Sequence, residues 1–296
     1  MDFAKIVARS LNISWKYKML WILGFFASFM GGSNVFIGKE HETRAGDFII
    51  QNPWLLAIII AYLILLFLFF LIMHLICSAG LIKSVADLDE NYPPKARESF
   101  KSGMVYFWKF LALWVMAIAV AIALFAMIAL PIALAFWASV AFGFIFLVLL
   151  IPPGLAALFL FLSIYSLAQR EIVLGKRGLL EAISQAYRLW RENIGQALVV
   201  FLIQLLAGLI MFSLNTFLLL IFAIPLILLA IQSISIVVAL LLVEIPMLIL
   251  FSILLTGFFG TFVNSLYTLF YMELELLRPS SGPNAMPTGN IAGSLT

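Results

Sequence analysis

The distribution of charge along the chain constrains its fold more than any other feature. Residues 110–169 include no formally charged side chain, and Glu244 carries the only formal charge between residues 193 and 272. Overall, 65% of the residues are hydrophobic and 10% are charged, against about 45–50% and about 25% in soluble domains. Because a membrane-crossing helix needs roughly 20 apolar residues, the sequence predicts an all-α integral membrane protein.

Lysine and arginine are distributed unevenly, and this predicts the topology. Four charged islands carry all but two of the 17 Lys and Arg side chains, and a fifth island, residues 39–47, carries those two. Because cytoplasmic loops are enriched in Lys and Arg, we expect the four basic islands and both termini in the cytoplasm. An even number of crossings between cytoplasmic islands then gives about six transmembrane helices. The four basic islands are residues 1–18, 83–109, 170–192 and 273–278.

The six spans leave two apolar pieces unassigned. The spans are predicted at residues 19–37, 54–82, 107–130, a fourth that ends near 169, 194–223 and 246–271. Proline cannot donate to the helical ladder, so Pro131 is expected to stop or kink the third span. The leftover pieces are residues 132–151 and 226–243, and a single extra crossing at either would break the charge rule. We expect each to be part of a long tilted helix, a re-entrant segment or an outer-leaflet hairpin.

A similar amphipathic segment precedes spans one, three and five, which indicates three helical-hairpin repeats. The predicted repeat units are residues 1–90, 91–175 and 176–276, and the segments align on Trp15, Phe107 and Trp190. Apolar residues recur at helical spacing in each segment, so we predict helices in the cytoplasmic interface; the alternative is ordinary extensions of the spans. Trp15, Trp108 and Trp190 are predicted interfacial anchors, because indole rings favour that region.

Residues 14–21 (SWKYKMLW) and 186–193 (AYRLWREN) carry a resemblance to a known family. In these motifs, and in layout over residues 1–275, the chain resembles the membrane domain found beside bacterial glycerophosphodiester phosphodiesterases, together with related stand-alone membrane proteins of unknown function. The resemblance implies a repeated fold of six spans in the bacterial inner (plasma) membrane. It does not imply phosphodiesterase activity, because this sequence lacks the soluble catalytic domain, and it transfers no functional residues.

The sequence contains no P-loop, GxSxG or HExxH motif, and its single cysteine, Cys77, lies in an apolar run. We therefore expect a protein that is not an enzyme, with no catalytic residue, no cofactor and no metal. The short amphipathic islands favour the lipid bilayer, including anionic lipids, over nucleic acid as a partner. Residues 279–296 are rich in Ser, Gly, Pro and Asn and are predicted to be disordered.

Four polar residues form a candidate intramembrane polar site: Gln204, Asn215, Glu244 and Asn264. A charge at the bilayer centre costs about 3 kcal/mol. Glu244 is therefore either a proton or cation site, or it lies at the outer interface or is protonated, where Pro246 turns the chain. The three amides lie on spans five and six among small residues. They indicate either tight helix packing or a polar pathway or headgroup groove. His74, in span two, is a proton relay, a donor to a backbone carbonyl or a side chain that faces the interface.

Two functions follow from these features. The first is a membrane scaffold or accessory subunit without catalytic activity, in contact with lipid and with a homo- or hetero-oligomeric membrane partner. The second is a transporter or lipid-handling protein with a polar groove between spans five and six, suggested by the repeat and the proline-containing segments. A membrane enzyme ranks third, because no nucleophile, acid–base pair or metal set is visible.

Overall fold

The computed structural model describes residues 1–29, 53–89, 92, 95–230 and 234–276. These residues form eight α-helices and no strand, which confirms the all-α prediction. The helices are α1 (Phe3–Lys16), α2 (Leu20–Phe29), α3 (Pro53–Asp89), α4 (Ala96–Ala138), α5 (Val140–Val173), α6 (Leu179–Glu192), α7 (Ile194–Ala230) and α8 (Ile234–Leu276). Five of them (α3, α4, α5, α7 and α8) are long and apolar enough to cross a membrane, as expected of an integral membrane protein. Of the first predicted span, residues 19–37, the structure describes only the part up to residue 29, which contains α2. The predicted disordered tail, residues 279–296, lies outside the described residues.

The five prolines of the apolar stretches all lie inside helices. Of the two outcomes expected at Pro131, a stop is excluded, because α4 continues to Ala138, and a kink stays a prediction. Pro152 and Pro153 lie within α5, Pro225 within α7 and Pro246 within α8. In a bilayer, ending a helix exposes several backbone groups to hydrocarbon, whereas a proline removes one hydrogen bond, so the helix continues through it.

Both leftover apolar pieces are ends of long helices, which is one of the three alternatives. The first piece is divided between α4 and α5 on either side of Ser139, and the second is divided between α7 and α8. Ser139 ends α4 by donating its N–H to the oxygen of Ala135 (3.0 Å), and its hydroxyl accepts from the N–H of Ala141 (3.3 Å) at the start of α5. Such serine caps replace the hydrogen bonds that helix ends lack. One residue therefore reverses the chain between helices of 43 and 34 residues.

Two of the three amphipathic segments are separate helices, α1 and α6. Each ends at a residue with non-helical dihedrals, Tyr17 after α1 and Asn193 after α6. The Asn193 side chain also donates to the oxygen of Leu189 at 3.1 Å, which caps the last turn of α6. The middle segment instead forms the first turns of α4, which is helical without a break through residues 103–109. The prediction of a separate interfacial helix there is wrong, and the alternative of an extended span describes this segment.

Most buried side chains lie toward one end of the long helices, the end that carries the basic islands. They come from α3 between Leu71 and Val85, from α5 between Leu167 and Val173, and from α8 between Thr261 and Leu274. The opposite halves of the helices expose their apolar side chains. The structure is therefore packed at the predicted cytoplasmic end, and its other end presents apolar surface to the bilayer.

Helix α8 approaches α2 closely because glycines lie at their contact. A Cβ atom at Gly260 would overlap the backbone oxygen of Gly24 on α2. Beside this point, the hydroxyl of Thr261 donates to the oxygen of Leu20 at 2.9 Å. Small residues that permit backbone contact, with a side-chain hydrogen bond across it, are typical of helix pairs in membranes. Helix α8 also contacts α1, α3, α5 and α7, which makes it the centre of the packed end.

Candidate functional site

Arg170 is the most unusual buried side chain of the structure. It lies in the last turn of α5 and is 2% exposed. Its Nη1 donates to the oxygen of Ser166 (2.8 Å) and to Oε1 of Gln169 (3.3 Å). Its Nη2 donates to Oδ1 (3.3 Å) and to the backbone oxygen (3.4 Å) of Asn264. The guanidinium therefore joins α5 to α8 at the packed end.

The charge of Arg170 is compensated by neutral groups. Its guanidinium carbon lies 5.3 Å from the ring centroid of Tyr267, a cation–π geometry worth about 2 kcal/mol when desolvated. The neighbouring Glu171 pairs with Arg177, with Nε and Oε2 3.4 Å apart, and the ion pairs of the described residues do not include Arg170. A buried charge without an opposite charge costs several kcal/mol. The site therefore keeps positive character, and Nε of Arg170 has no hydrogen-bond partner among the described residues.

Tyr267 connects this pair of helices to α7. Its hydroxyl donates to Oε1 of Gln204 at 2.6 Å, a short hydrogen bond. We call Arg170, Gln204, Asn264 and Tyr267 the Arg170 cluster. It joins α5, α7 and α8 and brings together two of the four polar residues singled out from the sequence.

The other two, Asn215 and Glu244, lie elsewhere. Nδ2 of Asn215 donates to the oxygen of Met211 on its own helix at 3.0 Å. Glu244 and Asn264 both lie on α8, and the stretch of helix between them measures about 30 Å. Glu244 lines a cleft of about 140 Å³, and its Oε2 has no hydrogen-bond partner among the described residues. The other residues that line this cleft are Leu219, Phe222, Ala223, Ile245 and Leu248.

The three tryptophans selected as interfacial anchors have different surroundings. Trp15 is 68% exposed and meets Phe258 of α8 edge to face, with 6.2 Å between ring centroids. Trp108 is also exposed, on the first turns of α4. Trp190 is half-buried, and its ring lies 6.1 Å from that of Phe159 on α5. Trp15 and Trp108 therefore present their rings to the surroundings, whereas Trp190 packs within the protein.

His74 has a structural contact. Its Nδ1 lies 3.1 Å from the backbone oxygen of Phe26 on α2. Because a carbonyl oxygen only accepts, Nδ1 carries the proton in this contact. The geometry fits a donor that holds α3 against α2, which is one of the three roles considered for this residue.

Sequence reasoning missed Arg170 and Tyr267. Arg170 was counted as the first cation of a cytoplasmic island, although it follows directly on the uncharged stretch 110–169, within the triplet Gln-Arg-Glu. Tyr267 follows Asn264 by three residues, on the same helix face, and this spacing was a usable signal. Chemically, the cluster offers a positive charge, two amides and a phenol, which suit an anion or a helix contact. No group of three metal-binding side chains occurs among the described residues.

Comparison of the chain with protein-family models, with curated proteins and with solved structures gave no match.

Proposed function

We propose that this chain is a membrane scaffold or accessory subunit without catalytic activity, which assembles with a homo- or hetero-oligomeric membrane partner. The observation that carries the proposal is the exposure of the outer half of α3. Every residue from Leu56 to Phe69 is exposed. Because an α-helix has about 3.6 residues per turn, this run covers all faces of the helix. A helix half whose residues are exposed on all faces in the described part of the chain offers a surface to a helix of another chain.

The proposal includes six spans in three repeat units (1–90, 91–175 and 176–276), with both termini in the cytoplasm of a bacterial cell. It is supported by the five long apolar helices and by α2, whose 10 residues are uncharged. The basic residues of α1 and α6 support the orientation. The resemblance to the membrane domain beside glycerophosphodiester phosphodiesterases belongs to the same proposal.

A transporter or lipid-handling protein is the second candidate, and the Arg170 cluster favours it. A buried guanidinium whose Nε lacks a hydrogen-bond partner among the described residues can attract an anionic group. A polar groove between spans five and six, which correspond to α7 and α8, would pass the Gln204–Tyr267 hydrogen bond. In that case Gln204→Leu would abolish transport, and unchanged transport would exclude this groove.

The scaffold proposal is tested by isolating the full chain from its native membrane in polymer nanodiscs and determining the mass of the particles. A stoichiometric partner, either a second copy or another membrane protein, is the expected result. A photo-crosslinking amino acid at Leu65 (67% exposed, on α3) should form an adduct with that partner. The matched control is Val148 (69% exposed, on α5), where only lipid adducts are expected. Monomeric particles without protein adducts at Leu65 would overturn the proposal.

A further inference from the structure

Exposed tryptophans mark the ends of two long helices that lie opposite the packed end. On α3, Trp54 (60% exposed) lies 29 residues before Lys83. On α4, Trp137 (86% exposed) lies 28 residues after Lys109. At 1.5 Å per residue, each of these two segments measures about 43 Å. Because indole rings favour the membrane interface, the two tryptophans mark the interface on the side of the membrane opposite the packed end.

Glu244 lies at the level of these tryptophans. It precedes Glu273, in the packed part of α8, by 29 residues, so the helix between the two acids is again about 43 Å long. Glu244 is therefore about as far from the packed end as Trp54 and Trp137 are. This distance places its carboxylate among the lipid headgroups of the leaflet opposite the packed end.

The side chain of Glu244 lines the cleft of about 140 Å³ described above, which we call the Glu244 cleft. The cleft lies between α7 and α8, and its other lining residues are apolar. Oε2 of Glu244 is buried and has no hydrogen-bond partner among the described residues. An acceptor that is withdrawn from water without a donor is destabilising, so a donor from another molecule would stabilise this oxygen.

The long helices supply no positive charge for this carboxylate. Residues 54–82, 110–169 and 193–272 contain neither lysine nor arginine. Of the 17 Lys and Arg side chains, only Lys39 and Arg44 lie outside the four basic islands. A ligand that fits the cleft therefore carries a positive charge with N–H donors, next to an apolar part that matches Phe222 and Leu248.

We propose that the Glu244 cleft binds the primary ammonium group of a phospholipid headgroup from the leaflet opposite the packed end. A primary ammonium offers three N–H donors, whereas the trimethylammonium of choline offers none and would leave Oε2 without a partner. Rotation about the last side-chain bond of a glutamate is nearly free, so either oxygen can accept. The apolar lining residues would contact the glycerol and the start of the acyl chains.

The inference goes beyond the scaffold proposal and rests on it in one respect, which is that the long helices cross a membrane. The test is a lipid titration of the purified full chain in detergent, with bound lipid counted by native mass spectrometry. The first phosphatidylethanolamine should bind about tenfold more tightly than the first phosphatidylcholine, because only its headgroup donates a hydrogen bond to the carboxylate. Glu244→Gln should remove this preference. The matched control, Glu273→Gln, removes an acid at the packed end of the same helix and should retain the preference.

A second variant, Ala223→Phe, fills the cleft without a change of charge and should also weaken binding of phosphatidylethanolamine. It decides the test if Glu244→Gln does not fold, as judged by its helical content. An equal preference in the wild type and in Glu244→Gln would overturn the proposal, as would wild-type binding in Ala223→Phe.

Two further measurements distinguish other occupants of the cleft. Displacement of the lipid by an equal concentration of glycerophosphoethanolamine would overturn the assignment to a lipid in favour of a soluble ammonium compound. Tighter lipid binding in Lys39→Gln/Arg44→Gln would show that a cation of the chain itself occupies the carboxylate, and it would also overturn the proposal. The purified chain contains no partner protein, so failure of the scaffold proposal leaves these results unaffected.

Discussion

Replacing Asn264 with leucine should destabilise the protein more than removing the charge of Arg170 itself. In Asn264→Leu, the guanidinium stays buried but loses the Oδ1 acceptor that it now contacts at 3.3 Å. In Arg170→Met, the charge disappears and a thioether of similar length fills most of the space. The two variants remove the same hydrogen bond, and they differ in whether a buried charge remains afterwards.

The contacts of Arg170 allow the difference in stability between the two variants to be worked out. A hydrogen bond to a charged group contributes about 1.5–3 kcal/mol, so Asn264→Leu should lower the free energy of unfolding by about 2 kcal/mol. Arg170→Met loses that bond, the hydrogen bonds to the oxygens of Ser166, Gln169 and the Asn264 backbone, and the cation–π contact with Tyr267. It also removes a desolvation cost of several kcal/mol, so its net effect should be within about 1 kcal/mol. In the double variant, Asn264→Leu should add almost nothing.

The assay is unfolding of the full chain by titration with SDS in mixed micelles, followed by tryptophan fluorescence and helical content. The four proteins of the cycle are the wild type, the two single variants and the double variant, and their coupling energy should be about 1–2 kcal/mol. If Arg170→Met is the more destabilising single variant, or if the two effects add, the reasoning is refuted. The guanidinium would then stabilise the α5–α8 contact by its own interactions, and the cost of its burial would be minor.

Three further predictions concern other parts of the molecule. Tyr267→Phe should cost about 1 kcal/mol in the same SDS titration, because it loses one hydroxyl hydrogen bond and keeps the ring beside the guanidinium, whereas Tyr267→Leu should cost more. Gly260→Val should cost about 2 kcal/mol or more through overlap with α2, whereas Gly208→Ala, where a Cβ meets no atom within 4 Å, should be neutral or stabilising. A cysteine at Thr43 should react with an impermeant maleimide on intact cells, and a cysteine at Lys176 should react only after the membrane is opened.

Each of these predictions has a result that contradicts it. If Tyr267→Phe and Tyr267→Leu lower the free energy of unfolding equally, the cation–π contact does not contribute to stability. Equal effects of the two glycine substitutions would show that the α2–α8 contact tolerates a side chain. Labelling of positions 43 and 176 from the same side would reject the predicted topology; Cys77 is buried, so the wild type gives the background.

The fold class could be predicted because it depends on composition and on helical periodicity. The stretch 110–169 is continuously apolar and lacks the polar–apolar alternation of barrel strands, so it satisfies its backbone groups in a membrane as helix. Where the helices end was predicted less well, because the third span was expected to be stopped or kinked at Pro131. Pro131 lies within a continuous helix, whereas the reversal occurs at Ser139, whose side chain can cap the next helix. In an apolar stretch, the position of the turn depends more on a residue that can cap a helix end than on a proline, which removes only one backbone hydrogen bond.

The candidate site could be predicted only in part, because it depends on which helices meet. The polarity of Gln204 and Asn264 identified them from the sequence. Arg170 and Asn264 are far apart along the chain, and their hydrogen bond requires α5 to lie against α8, which no local pattern indicates. Near the end of a span, an arginine in the cytoplasm and one turned into the protein have the same sequence signature. The sequence therefore indicated the polar side chains but not the charge that they surround.

The lengths of the helices have a consequence for the membrane around the protein. The uncharged part of α4 runs from residue 110 to residue 138. It measures about 43 Å, whereas the hydrocarbon of a typical bilayer is about 30 Å thick. This hydrophobic mismatch is relieved by inclination of the α4–α5 hairpin or by local thickening of the lipid. The free-energy cost of thickened lipid grows with the length of its boundary around the protein. Long helices that lie side by side share one such boundary. Bilayer thickness would thus control how copies of the chain, and partners with similarly long spans, gather in the plane of the membrane.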